Sequence, residues 1–231
     1  MSRELPPPDL LPPLNLNLKN PYLLSIRLLF TLLFLSYMTI VSALAPEFHP
    51  IRWIITMAAF FFGLGVGSHY IDILKDADYF KTVIGDFSEA KMKAGAALGL
   101  ALGIGLGVYL AYRYSWWFLA FVAAEGFIAF SYSAERPKFG HTSAMFWLGW
   151  GFIPSLASYC IQALKIDLFG VGISLFMAFY VTSLLYMYEA TKAKATAQLA
   201  GTLIKLNLLA GYIGAITLLL SKLIRFGVEL L

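Results

Sequence analysis

The sequence predicts an all-α fold, a polytopic transmembrane helical bundle of about seven spans with a cytoplasmic N-terminus. Three observations carry that prediction. Of 231 residues, 60% are apolar and only 13% are charged, where a soluble domain carries about 25% charged residues; mean hydropathy is +0.75. The apolar residues gather in runs close to the ~20 residues that a helix needs to cross the hydrocarbon. Lys and Arg gather in alternate connections between those runs. Disordered, collagen-like and coiled-coil classes are excluded, and the spans leave no room for a soluble catalytic domain. Any chemistry has to use residues at the ends of the spans or inside the bundle.

Residues 1–22 read as a Pro-rich cytoplasmic leader and 23–231 as a single transmembrane helical domain. The leader holds six of the ten prolines (Pro6, Pro7, Pro8, Pro12, Pro13, Pro21) with Arg3, Glu4, Asp9 and Lys19, a composition suited to extended chain. It lacks the basic start, short apolar core and cleavage site of a signal peptide. Spans fall at roughly 23–45, 53–71, 94–112, 116–132, 143–163, 168–188 and 203–221. Twelve of the seventeen Lys and Arg lie on the side of the leader and loops 2–3, 4–5 and 6–7, leaving Arg52, Arg113, Lys165, Lys222 and Arg225 opposite. That excess assigns the N-terminus and those loops to the cytoplasmic face of a multi-pass cell-membrane protein.

Within the spans, Gly95, Gly99, Gly103 and Gly107 form a small-residue stripe at four-residue spacing, read as helix packing. Gly63, Gly65 and Gly67 are no dinucleotide fingerprint, because no strand precedes them. Pro154 predicts a kink in the fifth span. Cys160, the single cysteine, cannot form an internal disulfide and reads as packing. The net charge of +4 and pI of about 9.1 come from scattered cations, so positive-inside topology explains them without nucleic acid.

The connection after span 2 reads Ser68-His69-Tyr70-Ile71-Asp72-Ile73-Leu74-Lys75-Asp76. If the helix runs on past the membrane surface, His69, Asp72 and Asp76 share one face. Asp72 and Asp76, one turn apart at a bundle mouth, suit Mg²⁺, which takes one or two carboxylates together with substrate phosphates; the alternative is a solvated acidic helix end balanced by Lys75 and Lys81. Lys81, Lys91, Lys93, Arg136, Lys138, Lys192 and Lys194 stand on the same side, where a polyanion would meet them.

These residues carry a resemblance. Ser68-His69-x-x-Asp72-x-x-x-Asp76, then Gly85-x-x-Ser88, a glycine-rich span, Tyr132-Ser133 with Arg136 and Lys138, and Gly151-x-x-Pro154-x-x-x-Ser158-Tyr159 resemble the UbiA superfamily of intramembrane prenyltransferases over about residues 20–205. The family carries NDxxDxxxD after its second helix and a second aspartate cluster after its sixth, which together bind a polyprenyl diphosphate through Mg²⁺. The resemblance implies Mg²⁺ on Asp72 and Asp76, diphosphate contacts from His69, Lys81, Tyr132, Arg136, Lys138, Glu189 and Lys192, and transfer of the prenyl group to a lipophilic acceptor in an interior that shelters the chain. The pattern also departs from the family. Ser68-His69 replaces Asn-Asp, Glu189 is the only acid after span 6, and seven spans stand where the family usually has nine, so a partner subunit or second copy would have to supply two helices.

Glu125 sits near the middle of the fourth span and is expected to face the interior, either hydrogen-bonded in the bundle or touching an acceptor headgroup. His49 and His141 lack metal-ligand spacing. No HExxH, GxSxG, P-loop or CxxC pattern occurs, against zinc proteases, serine hydrolases, NTPases and thiol redox enzymes. Two other functions compete with prenyl transfer: a catalytically degenerate relative serving as a lipid-binding or assembly subunit, and a small-molecule transporter. Transport is the weaker, because no pair of interrupted spans is evident.

Overall fold

A computed structural model describes residues 20–22, 28–135, 142–190 and 196–229. The leader through residue 19, His141, and the predicted phosphate contacts Arg136, Lys138 and Lys192 lie outside the described residues. The chain forms α1 (Leu28–Ala43), α2 (Pro50–Lys75), a short α3 (Ala77–Ile84), α4 (Glu89–Tyr114), α5 (Trp116–Ala134), α6 (Ser143–Ala163), α7 (Leu168–Ala190) and α8 (Ala197–Glu229), with no strand among the described residues. Six of these, α2 and α4 to α8, are long and apolar enough to cross a membrane.

Local chemistry sets the boundaries. Pro50 opens α2 behind an extended His49, where its missing N–H costs nothing. Gly85 ends α3 at φ 90°, a conformation that side chains resist. Ser88 then caps α4 by accepting from the Lys91 N–H at 3.4 Å, and Thr142 caps α6 by accepting from the Met145 N–H at 3.3 Å. Two members of the family-like pattern, Gly85 and Ser88, thus have local structural duties.

The helix α6 is central. Two-thirds of its apolar window (67%) is buried, against 6% for α8, and it packs on α1, α2, α5 and α7 while α8 touches α1 and α7. Rings fill the centre: Phe34 meets Trp150 at 5.4 Å and Phe60 at 5.8 Å, with Tyr37, Phe146 and Tyr159 in the same cluster. Cys160 is fully buried there.

The glycine stripe of α4 is a packing seam. A Cβ on Gly99 would stand 2.8 Å from the Phe62 carbonyl oxygen, and one on Gly103 would stand 2.7 Å from the Gly63 Cα. Only glycine permits this approach of α2 and α4 backbones. At the end opposite the 2–3 loop, the Arg52 guanidinium donates to the Ile161 and Gln162 carbonyls at 3.4 and 3.1 Å and covers the Tyr114 ring at 4.6 Å.

Two spans depart from α geometry. Residues Phe61–Ser68 of α2 and Trp147–Phe152 of α6 wind as π-helix. In α6 the cause is legible. Pro154 has no N–H for the Trp150 carbonyl four residues back, and its ring crowds that oxygen. The turn widens, and the buried Tyr37 hydroxyl donates to the Trp150 carbonyl. Where the sequence predicted a kink at Pro154, the structure has a wide turn preceding it.

Candidate functional site at the 2–3 loop end

Both π-helical stretches lie in the half of their span nearest the end that carries loops 2–3 and 4–5. π-turns are rare and frequent at functional sites. A ring stack joins them: His69, directly after the first stretch, lies on Trp150 in the second, with centroids 5.3 Å apart and planes 20° apart. His69 is 2% exposed, its Nδ1 donates to the Gly65 carbonyl at 3.0 Å, and Phe30 flanks it at 6.0 Å. The predicted common face of His69, Asp72 and Asp76 is not formed. His69 is buried in the core, and α2 ends at Lys75, so Asp76 leaves the helix at φ −119° and ψ 45° and drops out of the register that His69 and Asp72 share.

Asp72 remains on the last turn of α2, and both aspartates are half-buried. Asp76 links α2 to α3, its carbonyl accepting the Phe80 N–H at 3.0 Å. Lys81 on α3 donates to Glu89 at 2.9 Å, with Asp78 at 3.8 Å and the Phe87 ring at 5.7 Å. The Glu89 hydrogen bond raises the Lys81 pKa above its ordinary value, so Lys81 is a secure cation that a phosphate would have to share with Glu89.

The 4–5 connection is fastened to the same place. Ser68 and Ser133 hydroxyls hydrogen-bond in the buried seam between α2 and α5. Glu135, at φ 51° in the left-handed region, pairs with Lys75 at the end of α2. Tyr132 is half-buried, its ring 5.8 Å from Phe146. The last residue of the leader also reaches this end: the Tyr70 hydroxyl donates to the Tyr22 carbonyl, and the Tyr22 hydroxyl accepts the Ser88 N–H, each at 3.1 Å.

The structure therefore brings Asp72, Asp76, Lys81 and Tyr132 to one end of the bundle. Glu189 lies in the last turn of α7, and its side chain is outside what the structure describes. Among the described residues, no group of three or more His, Cys, Asp or Glu side chains could hold a metal ion. Two carboxylates fit Mg²⁺ only where phosphate and water oxygens complete the octahedron. Sequence reasoning missed the pair of π-turns and the His69–Trp150 stack. A signal was present in the glycine–aromatic stretches Phe61-Phe62-Gly63-Leu64-Gly65-Val66-Gly67 and Trp147-Leu148-Gly149-Trp150-Gly151.

Glu125 faces inward as expected, but neither carboxyl oxygen has a hydrogen-bond partner among the described residues. Among the described residues, the interior offers Glu125 no hydrogen bond of the kind anticipated. Compared with known proteins, the chain matches no family model, no curated protein and no solved structure.

Proposed function

We propose that the chain is a UbiA-type intramembrane prenyltransferase that moves a polyprenyl group from its diphosphate to a lipophilic acceptor at the cytoplasmic face. One observation carries the reading. Asp72 and Asp76 occupy the last turn of a membrane-length helix and the bend just beyond it, with Lys81 on the short helix that follows. Acids suited to a hard cation and a cation suited to phosphate oxygens thus lie on consecutive elements at one end of an apolar, ring-filled bundle.

When bound, Mg²⁺ would neutralise the diphosphate as its negative charge grows. Asp72 and Asp76 would hold it, while Lys81, Arg136, Lys138 and Lys192 would contact phosphate oxygens beside Tyr132 and Glu189. The C–O bond to the prenyl group breaks with its electron pair going to diphosphate. The allylic cation is then captured by the acceptor, which loses a proton. His69 belongs to the wall beneath this site, because its ring is committed to Trp150 and the Gly65 carbonyl. The packed rings of the core must part to admit a prenyl chain, and the two wide turns are where α2 and α6 can yield.

A second reading has its own support. Lys81 and Lys75 already have acidic partners, and the described residues provide no third metal ligand, which suits a relative that binds a lipid diphosphate without turnover. Incubating purified protein with radiolabelled geranylgeranyl diphosphate, Mg²⁺ and a membrane lipid extract separates the two. Labelled product from the wild type, lost in Asp72→Ala and in Asp76→Ala, is the expected result. Mg²⁺-dependent binding without product supports the non-catalytic relative; no product and no binding overturns both.

A further inference from the structure

Arg52, in the first turn of α2, and Arg113, in the last turn of α4, share one aromatic ring. Their guanidinium carbons stand 4.6 and 5.4 Å from the centroid of Tyr114, which gathers two positive charges at the end of the bundle opposite the 2–3 loop. The ring is held in place by packing against the cluster that includes Leu110, Ala111 and Ile161. Arg52 is half-buried, and both of its hydrogen bonds, to the Ile161 and Gln162 carbonyls, leave from Nη1. Stacking occupies the face of a guanidinium and leaves the N–H groups along its edge for acceptors. Nε and Nη2 of Arg52 therefore keep donors to spend, and Arg113 is exposed.

Among the described residues, no carboxylate pairs with either arginine. Glu47 and Asp167, at the same end, are engaged elsewhere, Glu47 with His49 and Asp167 with Lys165, each at 3.1 Å. Helix α2 adds to the positive charge, because it begins here with no side-chain cap and presents the positive end of its dipole. The flanking aromatics set the depth: Tyr112 is 89% and Trp116 is 79% exposed, and Tyr and Trp gather where headgroups meet hydrocarbon. Further from this end, Ile54 on α2 and Val108 on α4 are exposed apolar side chains. Two unneutralised guanidinium groups thus stand at headgroup level above a lipid-facing apolar strip.

We propose that Arg52 and Arg113 bind the phosphate of a net-negative phospholipid, whose acyl chains run down α2 and α4 past Ile54 and Val108. Phosphate oxygens accept the paired N–H groups of a guanidinium edge, and basic sites between transmembrane helices recognise anionic headgroups. A zwitterionic headgroup brings an ammonium that the two arginines repel, so the net charge of the lipid decides the preference. The apolar strip beneath the cations favours a lipid over free phosphate, because only the lipid covers it. This site lies at the opposite end of the bundle from Asp72 and Asp76, and it holds whether or not the chain transfers a prenyl group.

The test is photolabelling of the full chain in phosphatidylcholine nanodiscs, using traces of phosphatidylglycerol or of phosphatidylcholine that carry the same diazirine acyl chain. Labels are mapped by mass spectrometry at Ile54 and Val108, with Phe176, a lipid-exposed residue of α7, as the reference. The ratio of phosphatidylglycerol to phosphatidylcholine labelling should be about fivefold higher at Ile54 and Val108 than at Phe176. Excess unlabelled phosphatidylglycerol should compete this labelling away, and excess inorganic phosphate should not. Arg113→Gln removes an exposed side chain that ties no helices together, so it should unfold with the wild type and bring the ratio down to the Phe176 value. Arg52→Lys, which keeps the charge and loses the forked edge, should lower it about threefold. Lys222→Gln, which removes a cation from the same end but outside the site, should leave it unchanged. A ratio no higher than at Phe176, an undiminished ratio in Arg113→Gln, or an equal loss in Lys222→Gln overturns the proposal. Displacement by inorganic phosphate identifies a site for the free anion and overturns it as well.

Discussion

Replacing Gly103 by alanine adds one methyl group at a close backbone crossing of α2 and α4. The new Cβ would lie 2.7 Å from the Gly63 Cα and 2.8 Å from both the Ala59 carbonyl oxygen and the Gly63 nitrogen. These are backbone atoms and cannot rotate away. Ordinary contact begins at 3.4 Å, so α2 and α4 would have to separate by about 0.7 Å, and overpacking of this kind costs about 1–3 kcal/mol. Gly105, two residues along, meets nothing within 4 Å, and Gly105→Ala should gain about 0.5–1 kcal/mol from helix propensity. The two substitutions are chemically identical and share one helix, so they should differ by about 1.5–4 kcal/mol in equilibrium unfolding in mixed micelles. A Gly103→Ala protein as stable as Gly105→Ala would refute the packing account of the stripe.

Two further outcomes are expected. Tyr37→Phe removes the donor to the Trp150 carbonyl that Pro154 leaves without its α-helical partner; it should cost about 1–3 kcal/mol of stability, and a neutral result in the same unfolding assay would show that the wide turn satisfies that oxygen unaided. In the turn between α6 and α7, opposite the candidate site, the Gly170 N–H at 2.8 Å, with Lys165 and Tyr159, holds the Asp167 carboxyl below its ordinary pKa. A lowered folded-state value gives stability that is present above the unfolded carboxylate pKa and lost as pH falls through the folded one; the thermal unfolding temperature should therefore fall on acidification, and Asp167→Asn should flatten that dependence.

How much was legible can be argued from particular residues. The helical class and the places of the six membrane-length helices followed from composition and run length, because a chain solvated by lipid must satisfy its backbone internally. The fifth span, expected at 143–163, is Ser143–Ala163. Gly99 and Gly103 read as packing, and they pack. The shared face of His69, Asp72 and Asp76 did not survive, because it assumed an unbroken α register. The helix stops at Lys75, and Asp76 falls outside α geometry, so it no longer follows the register that His69 and Asp72 share. Glu125 was expected inside, yet its want of a partner could not be read from a linear chain.

The sequence by itself determined that this is a helical membrane chain whose chemistry must lie at span ends or in buried ionisable groups. Hydropathy and charge patterns are sums over local residues, and they act through the solvent each segment requires. Only the tertiary structure decided that two wide turns meet through His69 and Trp150, that Lys75 and Lys81 are paired, and that the Glu125 carboxyl is buried with no hydrogen-bond partner among the described residues. Those facts depend on which side chains of other helices stand opposite, and on whether a neighbour has a donor to offer.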